Sequence, residues 1–207
     1  MPRLKLVIFD CDGVLFDSME ANRRYYNDLR LHCGLPPMDG DELQYVHTHH
    51  VMDSVRHLFR HHPEAYEKAE AYRRQLDYTP YLRFMVMEPD LLAFLAFLRP
   101  ARKTAISTNR TTTMASVLRL FQLEAAFDKV VTAMDVRQPK PHPEALRVIL
   151  AALGCAVDEA VYIGDSTLDQ EHAVGAGMRF VAFRNPDLAA DFHVRSFTEA
   201  MALPLYA

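Results

Sequence analysis

The sequence predicts an α/β protein: a Rossmann-like, doubly wound parallel sheet with a small all-helical domain inserted after the first strand. Three observations predict it. Short apolar runs ending in small polar or acidic residues recur along the chain. Helix-like segments separate the later runs. One long stretch, residues 17–87, breaks this alternation and holds no convincing strand. Alternating strands and helices imply parallel strands with helices on both faces of the sheet.

The first run is Leu4-Lys5-Leu6-Val7-Ile8-Phe9, which reads as a buried strand over 4–9. Asp10-Cys11-Asp12-Gly13-Val14-Leu15 follows it directly. Residues i and i+2 of a strand share a side, so Asp10 and Asp12 can face the crevice beyond the carboxyl end, where open α/β sheets bind ligands. A plain turn with Asp and Gly at its bend fits the same residues. Cys11 points the other way and is expected to be buried and inert.

Residues 17–87 carry helical patterns near Met19–Leu31, Asp41–Val46, Ser54–Phe59 and Pro63–Tyr78, punctuated by Gly34-Leu35-Pro36-Pro37 and His61-His62-Pro63. At about 70 residues the segment is too long for a loop. The expected domains are therefore a core of residues 1–16 and 88–207 and a helical domain of 17–87. Asp17 and Ser18 would form its hinge, with Ser18 capping the first helix. His47-Thr48-His49-His50 reads as a loop between helices. It fits a solvated polar loop, substrate contact through His49 or His50, or a metal site if a further ligand is supplied. Arg56, and Arg23 or Arg24, could bind a substrate carboxylate or second phosphate, although arginines on amphipathic helices commonly face water.

Further strands are expected at 103–107, 129–132, 160–164 and 179–183. Helices are expected at Thr111–Leu120, Pro143–Leu153 and Thr167–Ala176, the last stopped by Gly177. Lys103-Thr104-Ala105-Ile106-Ser107-Thr108-Asn109 ends in short polar residues that leave backbone open at a helix start, a natural anion site that also fits N-capping. Gln138-Pro139-Lys140-Pro141 holds a lysine in a proline-bounded loop. Val161-Tyr162-Ile163-Gly164-Asp165-Ser166-Thr167-Leu168-Asp169 ends in acids. Asp169 stands one helical turn after Asp165, so both can face one site. A helix N-cap and a solvated helix residue fit them as well.

The 207 residues are 50% hydrophobic and 24% charged, with a net charge of −4, an ordinary globular composition. Nothing in it calls for nucleic acid. The longest apolar patch, Leu91 to Leu98, falls short of the roughly 20 residues a membrane helix needs. No secretory signal is read, and Cys11, Cys33 and Cys155 have neither disulfide nor zinc spacing, so a cytoplasmic location is expected. Asn109-Arg110-Thr111 is formally a glycosylation sequon, without meaning in that location.

Together the four segments resemble the motifs of the haloacid dehalogenase-like hydrolase superfamily, DxDGxLxDS, S/T-T/S-N, K-P and GDSxxD, in order from Leu4 to Phe183. The resemblance is strongest to the phosphoglycolate phosphatase and β-phosphoglucomutase branch. It implies that the helical insert is a C1-type cap over the active site. It also implies an Mg²⁺-dependent phosphatase acting on a small phosphorylated metabolite through an aspartyl-phosphate. Asp10 would be the nucleophile and Asp12 the general acid and base. Ser107 and the amides of Thr108 and Asn109 would hold phosphoryl oxygens, with Lys140 against the phosphoryl group and Asp10. The Asp10 side chain, the Asp12 carbonyl and Asp165 would ligate the metal, with Asp169 on its water shell. A hexose-phosphate mutase would use the same core residues, and a non-catalytic binding protein could share the fold. A dehalogenase is disfavoured by Asp12. Oligomeric state is open between monomer and homodimer.

Overall fold

A computed structural model describes residues 3–49, 51–99 and 101–206 of the chain. The chain opens with β1 (Leu6–Phe9) and β2 (Phe16–Asp17), then runs through α1 (Met19–His32), α2 (Gly40–Thr48), α3 (Val51–Leu58), α4 (Pro63–Arg73) and a 3₁₀ segment (Thr79–Phe84). It continues as β3 (Val86–Met87), α5 (Leu91–Leu98), β4 (Lys103–Ser107), α6 (Met114–Leu120), β5 (Lys129–Val131), α7 (Glu144–Leu153) and β6 (Ala160–Gly164). It finishes with α8 (Thr167–Ala176), β7 (Arg179–Phe183), β8 (Phe192–Val194) and α9 (Phe197–Met201). Contacts divide it into two compact units: Met1–Asp17 with Met87–Ala207, and Ser18–Val86.

The first unit is built on a six-stranded sheet in the order β5-β4-β1-β6-β7-β8, with parallel pairing. β1 lies between β4 and β6, with Phe9 level with Ile106 on one side and Ile163 on the other. That register brings the carboxyl ends of the three strands side by side, so residues 10, 107–109 and 165 become neighbours although far apart in sequence. The chain order also reverses across β1, which is where a crevice opens in folds of this kind. The α/β expectation is met.

Every residue of β1 is fully buried, which explains its unbroken apolar run: a central parallel strand is covered on both faces. Leu6 and Ile8 join the core formed with Leu146 and Ile149 of α7 and Tyr162 of β6. Phe9 points the other way, edge-on to Phe94, Phe127 and Phe197 at centroid distances of 6.0, 6.1 and 5.9 Å. The apolar run Leu91–Leu98 is thus a core helix, α5, which buries Leu91, Phe94, Leu95 and Leu98. β8 and α9 extend the sheet unit beyond what the sequence patterns indicate.

The second unit contains α1 to α4 and the 3₁₀ segment. α1 buries Tyr25, Tyr26 and Leu29, and its Arg30 forms a buried ion pair with Glu42 at 2.6 Å. Glu42 also completes a capping box with Asp39 at the start of α2. Ser18 does not cap α1 as expected: it makes no capping hydrogen bond, and its hydroxyl is buried without a partner. His47-Thr48 falls at the end of α2 rather than in a loop. His50 and the His47 side chain lie outside what the structure describes. No helix among the described residues is long and apolar enough to cross a membrane.

Candidate active site

Two glycines set the spacing of the site. Gly13 has φ +80°, and a Cβ there would lie 2.0 Å from Asp165 Oδ2. A Cβ on Gly164 would lie 2.4 Å from Asp169 Cβ. The absence of side chains at these two positions therefore lets the acids behind β1 and β6 close up.

One oxygen from each of Asp10, Asp165 and Asp169 lies within 4.8 Å of the others. Lys140 reaches into this group, its Nζ 2.7 Å from Asp10 Oδ1 and 2.7 Å from Asp169 Oδ1. The lysine is buried, not a solvated surface residue. Its loop is clamped by Asn109, whose Oδ1 accepts from the Lys140 amide at 3.0 Å and whose Nδ2 donates to the Lys140 carbonyl at 3.1 Å.

Asp169 is fully engaged by protein. Its Oδ1 accepts from Lys140 and, at 2.7 Å, from the Tyr162 hydroxyl. Its Oδ2 accepts from the Ser166 hydroxyl at 2.6 Å and from the amides of Asp165 and Ser166 at 3.2 Å each. A carboxylate has about four lone-pair sites, and these five contacts hold the group in one orientation. Its geometry is that of a strut which fixes Lys140 and the Asp165 turn.

Electrostatics follow from this crowding. Burial, and then the charge of Asp169, push the Asp10 carboxyl up to about 7 against the opposing pull of Lys140. Burial, then Asp169 and Asp10, push Asp165 up to about 8. Asp169 goes the other way: Lys140 and its hydrogen bonds outweigh burial and hold it below the usual range. Three carboxylates and one ammonium leave a formal charge of −2 in a confined space. The Asp10 and Asp165 carboxyls offer the hard oxygen donors that a divalent cation prefers, and a cation would offset the repulsion that raises them, so the group fits one.

Asp12 is held differently. Arg110 grips it in a fork, Nε to Oδ2 at 2.7 Å and Nη2 to Oδ1 at 2.6 Å. Ser107 is fully buried, and its Oγ lies 2.9 Å from Nε2 of His172. Nδ1 of His172 lies 2.7 Å from the His142 carbonyl, which requires a proton on Nδ1 and makes Nε2 the acceptor. The Ser107 hydroxyl therefore donates to His172. The Thr108 amide donates to the Val131 carbonyl at 3.1 Å, continuing the β4–β5 ladder. The amide of Asn109 makes no hydrogen bond among the described residues, and of the expected anion cradle it is the donor left available. Cys11 is buried as expected, its thiol pushed well up by burial.

His49 and Arg56 belong to the second unit. His49 is exposed and stacks on Tyr45 at 3.8 Å; Arg56 pairs with Asp53 at 2.9 Å. Sequence reasoning missed Arg110, Tyr162 and His172 as parts of the first unit's site. Two of them carried a signal: Arg110 directly follows Asn109, and His172 stands three residues after Asp169 on the same helix face.

The description of haloacid dehalogenase-like hydrolases matches residues 7–183. A solved structure of a HAD-superfamily hydrolase, subfamily IA, variant 1, from Geobacter sulfurreducens superposes with a TM-score of 0.86 at 35% identity, covering 99% of this chain and 97% of that one. Hexitol phosphatase A of Escherichia coli is 28% identical over 89% of this chain and 85% of its own length. Phosphoglycolate phosphatase of Chromobacterium violaceum is 28% identical over 96% of both chains.

Proposed function

The chain belongs to the haloacid dehalogenase-like hydrolase family, and we propose that within it the protein is an Mg²⁺-dependent phosphatase of small phosphorylated metabolites. The observation that carries this reading is the Lys140 bridge between Asp10 and Asp169 at the ends of β1 and β6. It sets a fixed cation beside the buried Asp10 carboxylate.

Asp10 is the nucleophile in this reading: its carboxylate attacks phosphorus and forms an aspartyl-phosphate. Lys140 stands against the attacking oxygen and the developing phosphoryl charge. The Asn109 amide donates a hydrogen bond to a phosphoryl oxygen. Asp12, once released from Arg110, protonates the leaving alcohol and then takes a proton from the water that opens the aspartyl-phosphate. Asp169 positions Lys140. The Asp10 and Asp165 carboxylates, with the Asp12 carbonyl, would hold Mg²⁺, which when bound offsets the charge repulsion between Asp10 and the phosphate. The helical unit is read as a cap that supplies specificity, with His49 and Arg56 as candidate substrate contacts. The relatives named for hexitol and phosphoglycolate phosphatase activity support the metabolite class.

The test is phosphate release from a panel of small phosphate esters, with Mg²⁺ and with chelator, alongside product analysis. Metal-dependent release supports the reading. An isomerised sugar phosphate without net release overturns it in favour of a mutase.

A further inference from the structure

His172 touches none of the reacting groups, yet it joins the two segments that would hold the phosphoryl group. Its Nε2 accepts from the Ser107 hydroxyl at 2.9 Å, and its Nδ1 donates to the His142 carbonyl at 2.7 Å. Ser107 stands two residues before Asn109, and His142 stands two residues after Lys140. The Asn109 side chain in turn clamps the Lys140 backbone at 3.0 and 3.1 Å. A circuit therefore closes. It runs along the chain from Ser107 to Asn109, across to Lys140, along the chain to His142, and back to Ser107 through one imidazole. Ser107 and His172 are both fully buried. The imidazole also lies edge-on to Tyr162, with ring centroids 5.4 Å apart. The Tyr162 hydroxyl donates to Asp169 at 2.7 Å and accepts from Lys140 at 3.2 Å. Polar and apolar contacts thus both fix the imidazole against the lysine's surroundings.

This arrangement has a chemical consequence. An imidazole with its proton on Nδ1 donates at one nitrogen and accepts at the other, across a rigid ring. Burial, and then the charge of Lys140, keep His172 uncharged and so keep Nε2 an acceptor. A hydroxyl has one proton, and that of Ser107 points at His172, so none is left for a phosphoryl oxygen. The backbone amide of Asn109 and the ammonium of Lys140 remain to meet that group, and the circuit sets the spacing between them. Resting on the phosphatase reading, we propose that His172 is a positioning residue. Acting through Ser107 and the His142 carbonyl, it holds Asn109 and Lys140 at the spacing the transition state needs. Ser107 then serves the reaction as the anchor of the β4 end and not as a phosphoryl ligand. Lys140 acts on charge that develops as Asp10 attacks, so loss of His172 lowers kcat more than it raises KM.

The experiment measures kcat and KM for p-nitrophenyl phosphate with Mg²⁺ in wild type, His172→Phe, His172→Asn, Ser107→Ala and the His172→Phe/Ser107→Ala double variant, each well below its melting temperature. His172→Phe keeps a ring and loses both hydrogen bonds, and its kcat should fall on the order of 10- to 100-fold, as when the partner that orients a site group is lost. His172→Asn keeps a donor near the Nδ1 position and should fall between. Because Ser107 acts through His172, the double variant should stay within about threefold of His172→Phe alone. Losses that multiply in the double variant overturn the proposal and make Ser107 an independent contact. A folded His172→Phe with the wild-type kcat also overturns it and marks the imidazole as merely structural. Should His172→Phe not fold, nitrogen NMR of the wild-type imidazoles with Mg²⁺ and saturating inorganic phosphate decides. Nε2 of His172 must remain a hydrogen-bonded acceptor, and its release when phosphate binds overturns the proposal. Absence of metal-dependent release by wild type from every ester overturns the phosphatase reading itself, and this inference with it.

Discussion

Replacing Lys140 with Met removes the ammonium that two buried acids share. Asp10 is 7% exposed and Asp169 fully buried, and each lies 2.7 Å from Lys140 Nζ. Breaking a buried ion pair by deleting one partner costs about 3–5 kcal/mol. For a chain of this size each kcal/mol shifts Tm by roughly 2–4 °C, so the metal-free variant should melt roughly 10 °C lower near pH 8. The loss should shrink toward pH 5. In the wild type, burial and Asp169 already push Asp10 up to about 7 from an ordinary 3.8, with Lys140 opposing. Between those two values the folded state binds a proton that the unfolded state has released, so metal-free stability falls as pH rises through that window. Without Lys140 the opposing pull is gone, the proton is held more tightly, and acid relieves more of the damage. The assay is thermal unfolding of both proteins in chelator across pH 5 to 8. A loss under about 1 kcal/mol, or one equal at both ends of the range, would refute the shared-ammonium argument.

Other expected outcomes follow from neighbouring groups. His172 is fully buried, and burial followed by the charge of Lys140 pushes its imidazole down to about 4 from 6.5. Its sign is opposite to that of Asp10: the unfolded state binds the extra proton between those values, so this contribution is present above pH 6.5 and lost as pH falls toward 4, by about 3 kcal/mol. Denaturant unfolding of wild type and His172→Asn should therefore differ in slope across that window; parallel curves would contradict it. Gly13→Ala puts a Cβ 2.0 Å from Asp165 Oδ2 at φ +80°, a backbone cost of about 1–2 kcal/mol. It should weaken Mg²⁺ binding by calorimetry at least about tenfold, because Asp165 must move. Arg30→Met leaves Glu42 with Arg60 at 3.3 Å and the Asp39 amide at 3.2 Å, and should cost the helical unit about 3 kcal/mol, read as lost hydrogen-exchange protection in α1 and α2.

The strands that carry the site were legible because β1 and β6 are buried throughout and so lack polar alternation. Their acidic ends were legible for the same reason: charge directly after a fully apolar run has few uses in a core. α5 was visible only as an apolar patch, since its short run carries no helical periodicity of its own. β8 has three residues, one of them exposed, too few to show a period. The role of Asp169 was illegible in principle, because its partners Tyr162 and Lys140 are joined to it by folding and not by spacing. The same holds for Arg110, which meets Asp12 across 98 positions of sequence. Ser18 shows the limit of local rules: a residue placed to cap α1 has its hydroxyl buried instead.

The account stands on Asp10 as the atom that takes the phosphoryl group. Acid-quenched turnover of the Asp12→Asn variant with p-nitrophenyl phosphate, whose leaving group departs without being protonated, and Mg²⁺, followed by peptide mass spectrometry, tests it most directly. The variant keeps the nucleophile and lacks the group that would activate water, so a phosphoryl adduct should accumulate on the peptide holding Asp10 and vanish in Asp10→Asn. Phosphate release by a folded Asp10→Asn protein at the wild-type rate, or an adduct on another residue, would contradict the account.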